Sequence, residues 1–147
     1  MAHNERRLHC RPDAVFDVLA DGWLYPSWVV GTARMRDVDA AWPSPGARLH
    51  HSVGTWPALL NGTTSCLEWN PPHRFAALAR GILIGKARVI IEVTPDGDDS
   101  LVRITEEPVS GPAKLLPGPV PDLLLWWRNS EALRRLGYLC EGEAARQ

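Results

Sequence analysis

Three residues in this 147-residue chain combine useful chemistry with a position where it could be used. His51 lies in Leu49-His50-His51-Ser52-Val53. If Leu49 and Val53 face a core, the two-residue period of a strand turns His51 inward with them and His50 outward. An imidazole inside a pocket works as acid or base near neutral pH. The same position equally suits a partly buried histidine bonded to a backbone carbonyl. Glu106 shares the parity of Val102 and Ile104, so it continues an inner strand face. Burial there raises a carboxyl pKa unless a cation pairs with it, and His51 or an arginine could be that partner. If instead the strand stops before Pro108, Glu106 stands at a wet rim. Asn129 falls in the middle of an otherwise apolar helix stripe, where an amide must be hydrogen-bonded, either to a ligand oxygen or to neighbouring backbone.

The seven tryptophans form a second group: Trp23, Trp28, Trp42, Trp56, Trp69, Trp126 and Trp127. Most fall at loops and element ends, and Tyr25 lies near two of them. Aromatics with a polar handle suit a planar ligand at a pocket mouth, and they equally cap a core. No metal motif occurs: His50 and His51 are adjacent on a strand and point apart, and there is no HxxxH or HExxH. GxGxxG, Walker and GxSxG patterns are missing too, and Gly81-Ile82-Leu83-Ile84-Gly85 joins two strands rather than opening a helix. No cofactor is expected.

Composition narrows the class further. The chain is 45% hydrophobic with a net charge of −1. That is one ordinary domain, 1–147, with enough apolar residues for a core and no basic excess with which to read nucleic acid. The densest apolar run, Leu123 to Trp127, is far short of the roughly 18 residues that a membrane helix needs. Cys10, Cys66 and Cys140 form no CxxC pair and no short disulfide framework, and Met1 to Arg7 lead into no apolar signal segment. The expectation is a cytoplasmic protein with reduced thiols.

The elements that must position these residues follow from pattern. A short first strand is expected within 3 to 10, around Arg7 to Cys10, then a helix from Arg11 to Gly22 with Pro12 in its first turn. A second helical piece, Trp23 to Val30, is interrupted by Pro26. Six strands follow, Ala33–Val38, Ala47–Val53, Thr63–Trp69, Arg74–Arg80, Lys86–Thr94 and Leu101–Glu107, with turns at Pro43–Gly46, Asn61-Gly62, Asn70–Pro72 and Asp96–Asp99. Short strands without intervening helices imply an antiparallel meander. Ala87, Val89, Ile91 and Val93 alternate with Lys86, Arg88, Ile90 and Glu92, so the first set should face the core.

A Pro- and Gly-rich loop over 110–121 leads to a long helix, Asp122 to Glu141, with Gly142 as its expected stop. At 100° per residue, Leu125, Trp126, Ala132, Leu133, Leu136, Leu139 and Cys140 share one stripe, and Arg128, Glu131 and Arg135 fall opposite. Trp127 and Leu124 point outward, offering a surface for a partner, a second copy in a homodimer included.

In this order the chain resembles the SRPBCC superfamily of START-like domains, polyketide cyclases and the birch-pollen allergen. The resemblance covers nearly the whole chain. It rests on the helix-entry phrase Arg11-Pro12-Asp13-Ala14-Val15-Phe16-Asp17-Val18-Leu19, the turn Glu68-Trp69-Asn70-Pro71-Pro72-His73-Arg74-Phe75, and Arg128-Asn129-Ser130-Glu131-Ala132-Leu133-Arg134-Arg135-Leu136 on the last helix. The small bacterial branch labelled polyketide cyclase/dehydrase or lipid-transport-like is the most similar. What the resemblance implies is an α+β helix-grip fold: a curved seven-stranded antiparallel sheet wrapped around a long C-terminal helix, with two short helices after the first strand.

It also implies a cavity for a hydrophobic or polycyclic small molecule, lipid- or polyketide-like, between sheet and helix. Tyr25, Trp28, Val89, Ile91, Val102, Ile104, Trp126, Asn129 and Leu133 are the expected ligand contacts. The superfamily has no universal catalytic set to carry over, so chemistry must be argued from the site. One reading is a binding module. Another is a cyclase/aromatase or dehydratase in which His51 and Glu106 act as an acid/base pair. A third is a protein-interaction module on the same fold.

Overall fold

The computed structural model describes residues 2–30, 32–53, 60–81, 85–110 and 120–145. Strand β1 (Ala2–Leu8) leads through Cys10 into helix α1 (Pro12–Ala20), a single 3-10 turn (Gly22–Leu24) and the short helix α2 (Tyr25–Trp28). Six strands follow: β2 (Thr32–Val38), β3 (Arg48–Val53), β4 (Leu60–Asn70), β5 (Arg74–Gly81), β6 (Gly85–Asp96) and β7 (Asp99–Ser110). Helix α3 (Val120–Ala145) ends the described chain. The strands form one antiparallel sheet in the order β1-β7-β6-β5-β4-β3-β2. This is the helix-grip arrangement expected from the sequence.

Alternation sets the inner face. On β7 it brings Ser100, Val102, Ile104 and Glu106 inward, and on β6 it buries Ile91 and Val93. On β4, Thr64 and Cys66 are buried at the same parity as Gly62. Helix α1 starts with Pro12 in its first turn and buries Ala14, Val15, Phe16, Val18 and Leu19. α3 packs on β1, β7, α1 and α2. Its close approach to β1 depends on Gly137: a Cβ there would sit 2.9 Å from Leu8 Cδ2. Ala132, Leu133, Leu136 and Cys140 complete a core shared with Leu8, Val15, Phe16, Ile91 and Val102.

Several boundaries differ from the sequence reading. β1 covers Ala2–Leu8 rather than Arg7–Cys10, because pairing with β7 from Ala2↔Glu106 to Leu8↔Ser100 outweighs its weak strand propensity. Asn61-Gly62 is no turn but part of β4, where Gly62 pairs with His51. Gly142 does not stop α3, which runs on to Ala145. Trp126 does not face the grip; it is 51% exposed, beside exposed Leu123, Leu124 and Trp127 at the start of α3. Its angle on the helix is that of the stripe, but full burial along the stripe begins only at Asn129. Trp56 and most of the 110–121 loop lie outside the described residues.

Candidate functional site

The 3-10 turn after α1 sets the geometry of the site. Gly22 lies so close to β3 that a Cβ would meet Leu49 Cδ2 at 2.5 Å. Only glycine lets this turn rest on the strand. The turn delivers Tyr25 over β3 and β4, where its ring stacks on His51 at 5.4 Å between centroids and an interplanar angle of 23°. Buried Trp28 meets Tyr25 edge-on at 5.5 Å. Both contacts are favourable aromatic geometries.

His51 is buried at 5% exposure, as the strand parity predicts, and His50 turns outward to Asp39 at 2.9 Å. His51 Nε2 lies 2.9 Å from Thr64 Oγ1, which is also 3.1 Å from the Tyr25 hydroxyl. Two polar side chains therefore converge on one threonine oxygen, which has a single proton to give. On the other side of the ring, Nδ1 is buried and has no hydrogen-bond partner among the described residues. The ring has room because its cross-strand neighbour is Gly62, whose missing Cβ would lie 3.2 Å from His51 Cε1 and 3.6 Å from Nδ1.

The backbone beneath the ring is pinned from the sheet edge. At a β2 irregularity between Met35 and Asp37, Arg36 donates from Nε to the His51 carbonyl at 3.3 Å and from Nη2 to the Gly62 carbonyl at 3.1 Å. Burial first, then the Arg36 charge and His50, push the His51 pKa down to about 4. The imidazole is thus neutral at pH 7, and a neutral ring carries one donor and one acceptor. With Nε2 engaged by Thr64, Nδ1 offers the remaining one. Burial likewise raises the Tyr25 phenol, while the Thr64 hydrogen bond and Arg128 act in the opposite direction and Glu106 adds to the rise. Tyr25 therefore lies within electrostatic range of the second polar group.

That group is Glu106 with Arg128. Glu106 is inward and 5% exposed, and both its oxygens meet Arg128 Nη1, at 2.9 and 3.2 Å. Arg128 also donates from Nε to the Val30 carbonyl at 2.9 Å, tying α3 to β7 and to the end of α2. The sequence reading placed Arg128 on the far side of the helix from the sheet. Its position is instead on the flank, and its long side chain reaches back to the buried carboxylate. His51 and Glu106 are each bonded to a different partner: a hydroxyl for the first, a guanidinium for the second.

Asn129 is 3% exposed, and its Nδ2 has no partner among the described residues. Nearby, Asn4 on β1 donates to the Trp126 carbonyl at 3.0 Å, while its own Oδ1 is buried and unpartnered. One orphan is a donor and the other an acceptor, and only a turn of α3 separates the two attachment points. Trp42 and Trp69 serve the core, meeting Phe75 edge-on at 5.9 and 5.8 Å. The described residues contain no cluster of metal-ligating side chains.

Thr64, Arg36, Gly62 and Arg128 were not assigned to the site from sequence. Thr64 was within reach, since it shares its parity on β4 with Cys66. Arg36 was not, because no residue pattern announces the strand irregularity that aims it.

No protein-family model and no curated protein matches the sequence. Solved structures do match it. A conserved protein from Geobacillus kaustophilus superposes with a TM-score of 0.72 at 12% identity, over 95% of this chain and 94% of that one. A START superfamily protein from Mycobacterium smegmatis gives 0.65 at 15% identity, over 99% and 97%. CalU16 from Micromonospora echinospora gives 0.65 at 16% identity, over 98% of this chain and 78% of that one. At such identities the likeness is one of architecture, and with the sheet order and the long helix it establishes that this chain has the START-like, helix-grip fold of the SRPBCC proteins.

Proposed function

We propose that the chain binds a hydrophobic or polycyclic small molecule, polyketide- or lipid-like, with a hydroxyl or carbonyl at its polar end. The Tyr25–His51–Thr64 group receives that polar end. Trp28, Val89 and Asn129 are further contacts, set against the packed core to which Ile91, Val102, Ile104 and Leu133 belong. The observation that carries this reading is the buried Nδ1 of His51, unpartnered among the described residues, on a neutral ring stacked under Tyr25. A buried polar atom without a partner is costly, and a ligand hydroxyl or carbonyl would remove that cost.

The cyclase or dehydratase alternative asks His51 and Glu106 to exchange protons with one substrate. An imidazole with a pKa near 4 is a weak base at pH 7, and Glu106 is already engaged by Arg128. Both facts favour binding over turnover.

The test is a titration with naphthalene, 2-methoxynaphthalene and 2-naphthol, followed by tryptophan fluorescence. All three should bind, with 2-naphthol tighter by about 2–10-fold, one hydrogen bond's worth. His51→Ala should erase that preference and leave naphthalene affinity unchanged. Absence of saturable binding by any of the three, or a preference that survives His51→Ala, overturns the reading.

A further inference from the structure

At the opposite end of the grip from His51, two cysteines far apart in sequence meet. Cys10 follows β1, Cys140 lies in the penultimate turn of α3, and both are buried in the same core cluster. The two thiols act on each other: Cys140 draws the Cys10 thiol below its usual range, while Cys10 and burial push the Cys140 thiol above its own. The surrounding backbone is fixed on both sides. The His9 N–H donates to Glu141 Oε1 at 3.1 Å, and Ser100 Oγ donates to the Cys10 carbonyl at 2.7 Å. A surface groove of about 300 Å³ opens beside Cys10, lined also by His9, Arg11, Asp13 and Asp98. The pair is thus asymmetric: Cys10 lines an opening to solvent and Cys140 does not.

We infer that Cys10 and Cys140 form a redox-active pair, in which peroxide entering by the groove oxidises Cys10 and Cys140 resolves it into an intramolecular disulfide. The Cys10 thiolate attacks one oxygen of hydrogen peroxide; the O–O bond breaks, hydroxide leaves, and Cys10 becomes a sulfenic acid. The Cys140 sulfur then attacks the Cys10 sulfur, the S–O bond breaks, and water leaves with the Cys140 proton. Overall two thiols lose two electrons and two protons, and one peroxide becomes two waters. The new bond would fasten the β1–α1 corner to the C-terminal end of α3 and close a loop comprising most of the chain. Cys66 lies on β4 outside this pair, so it stays a thiol.

The experiment treats the folded, fully reduced protein with hydrogen peroxide near stoichiometry, quenches it with an alkylating reagent under denaturing conditions, and maps peptides without reductant. The expected product is one Cys10–Cys140 linked peptide pair with Cys66 alkylated. Its formation should raise the melting temperature by about 5–15 °C, reversed by dithiothreitol. Cys140→Ala should abolish the link and leave Cys10 as a sulfenic acid, which a second equivalent of peroxide carries on to sulfinic acid. A linked pair involving Cys66, a link only between chains, or wild-type Cys10 reaching sulfinic acid without any link would each overturn the inference. Because the decisive readout is on the wild-type chain, it does not depend on a variant folding.

Discussion

The two ends of the grip are built on different principles. Around the C-terminal half of α3, Leu8, Val15, Val102, Leu133 and Leu136 are almost wholly shut off from solvent and touch other apolar groups. Around α2 and the N-terminal half of α3, buried His51, Thr64 and Glu106 are held by directed bonds, the first two with half-buried Tyr25 and the third with half-buried Arg128. The first end is held by nondirectional burial, which tolerates exchange of one apolar side chain for another of like volume. The second is held by a few geometrically exacting contacts, and three buried polar atoms, on Asn4, His51 and Asn129, have no partner among the described residues. A protein stabilised by one end can leave the other unsatisfied, and the unsatisfied end is where a ligand gains most.

The sharpest way to break this contrast is to cut into the apolar end. Leu133→Ala should cost about 2–5 kcal/mol in chemical denaturation, since the side chain is 2% exposed within the core. A much smaller loss would mean that Leu133 lines an open space instead, and the two ends would be less distinct than described.

Acid should act on the polar end. His51 is buried neutral, with its folded pKa pushed down to about 4 against about 6.5 in the unfolded chain. The unfolded state therefore binds the extra proton first. The contribution is fully present above pH 6.5 and is lost as pH falls from about 6.5 to 4, by up to about 3 kcal/mol. Urea melts of the wild type and His51→Gln across that window should show a steeper loss in the wild type. Parallel curves would remove His51 as the acid-sensitive group, whatever the carboxylates contribute.

The smallest effect belongs outside both ends. Arg135 bonds Glu131 at 3.1 Å on the outer side of α3, and Arg134 bonds the same carboxylate. Arg135→Ala should cost under about 0.5 kcal/mol, because Glu131 keeps its other partner and exposed pairs contribute little. A loss comparable with that of Leu133→Ala would mean that the buried stripe of α3 is on the wrong side.

What could be read from the residues divides along the same line. Ile91 and Val93 on β6, Val102 and Ile104 on β7 and the Leu133–Leu136–Cys140 stripe are buried as their periodicities require, because burial is a property of one element at a time. The same rule puts His51 and Glu106 inside. Their partners were hidden, because a hydrogen bond joins two elements whose relative placement no period encodes. Arg128 is the clearest case. A helical wheel sorts residues by a single buried direction, but this helix has the sheet on one side and α2 on another, and a long arginine on the flank reaches both. Asn61-Gly62 misled for a related reason: glycine is a turn residue by propensity, and here it makes room for a ring on the next strand.

The contact between Gly137 and Leu8 has a mechanical consequence. It indexes α3 against β1 like a tooth in a notch, so the helix cannot slide along the strand without lifting away from it. Towards Ala145 the notch is reinforced by the Cys10–Cys140 contact and the His9–Glu141 bond. Towards Leu123, the bonds from Asn4 and Arg128 are polar and exchangeable with water or ligand atoms. Such a helix is a lever with its fulcrum near one end. With a rise of about 1.5 Å per residue, Leu123 stands about 20 Å from the fulcrum, and a tilt of about 5° carries it roughly 2 Å. A guest could thus be admitted beneath the far end of the helix by breaking a few hydrogen bonds, while the core at the pivot stays shut.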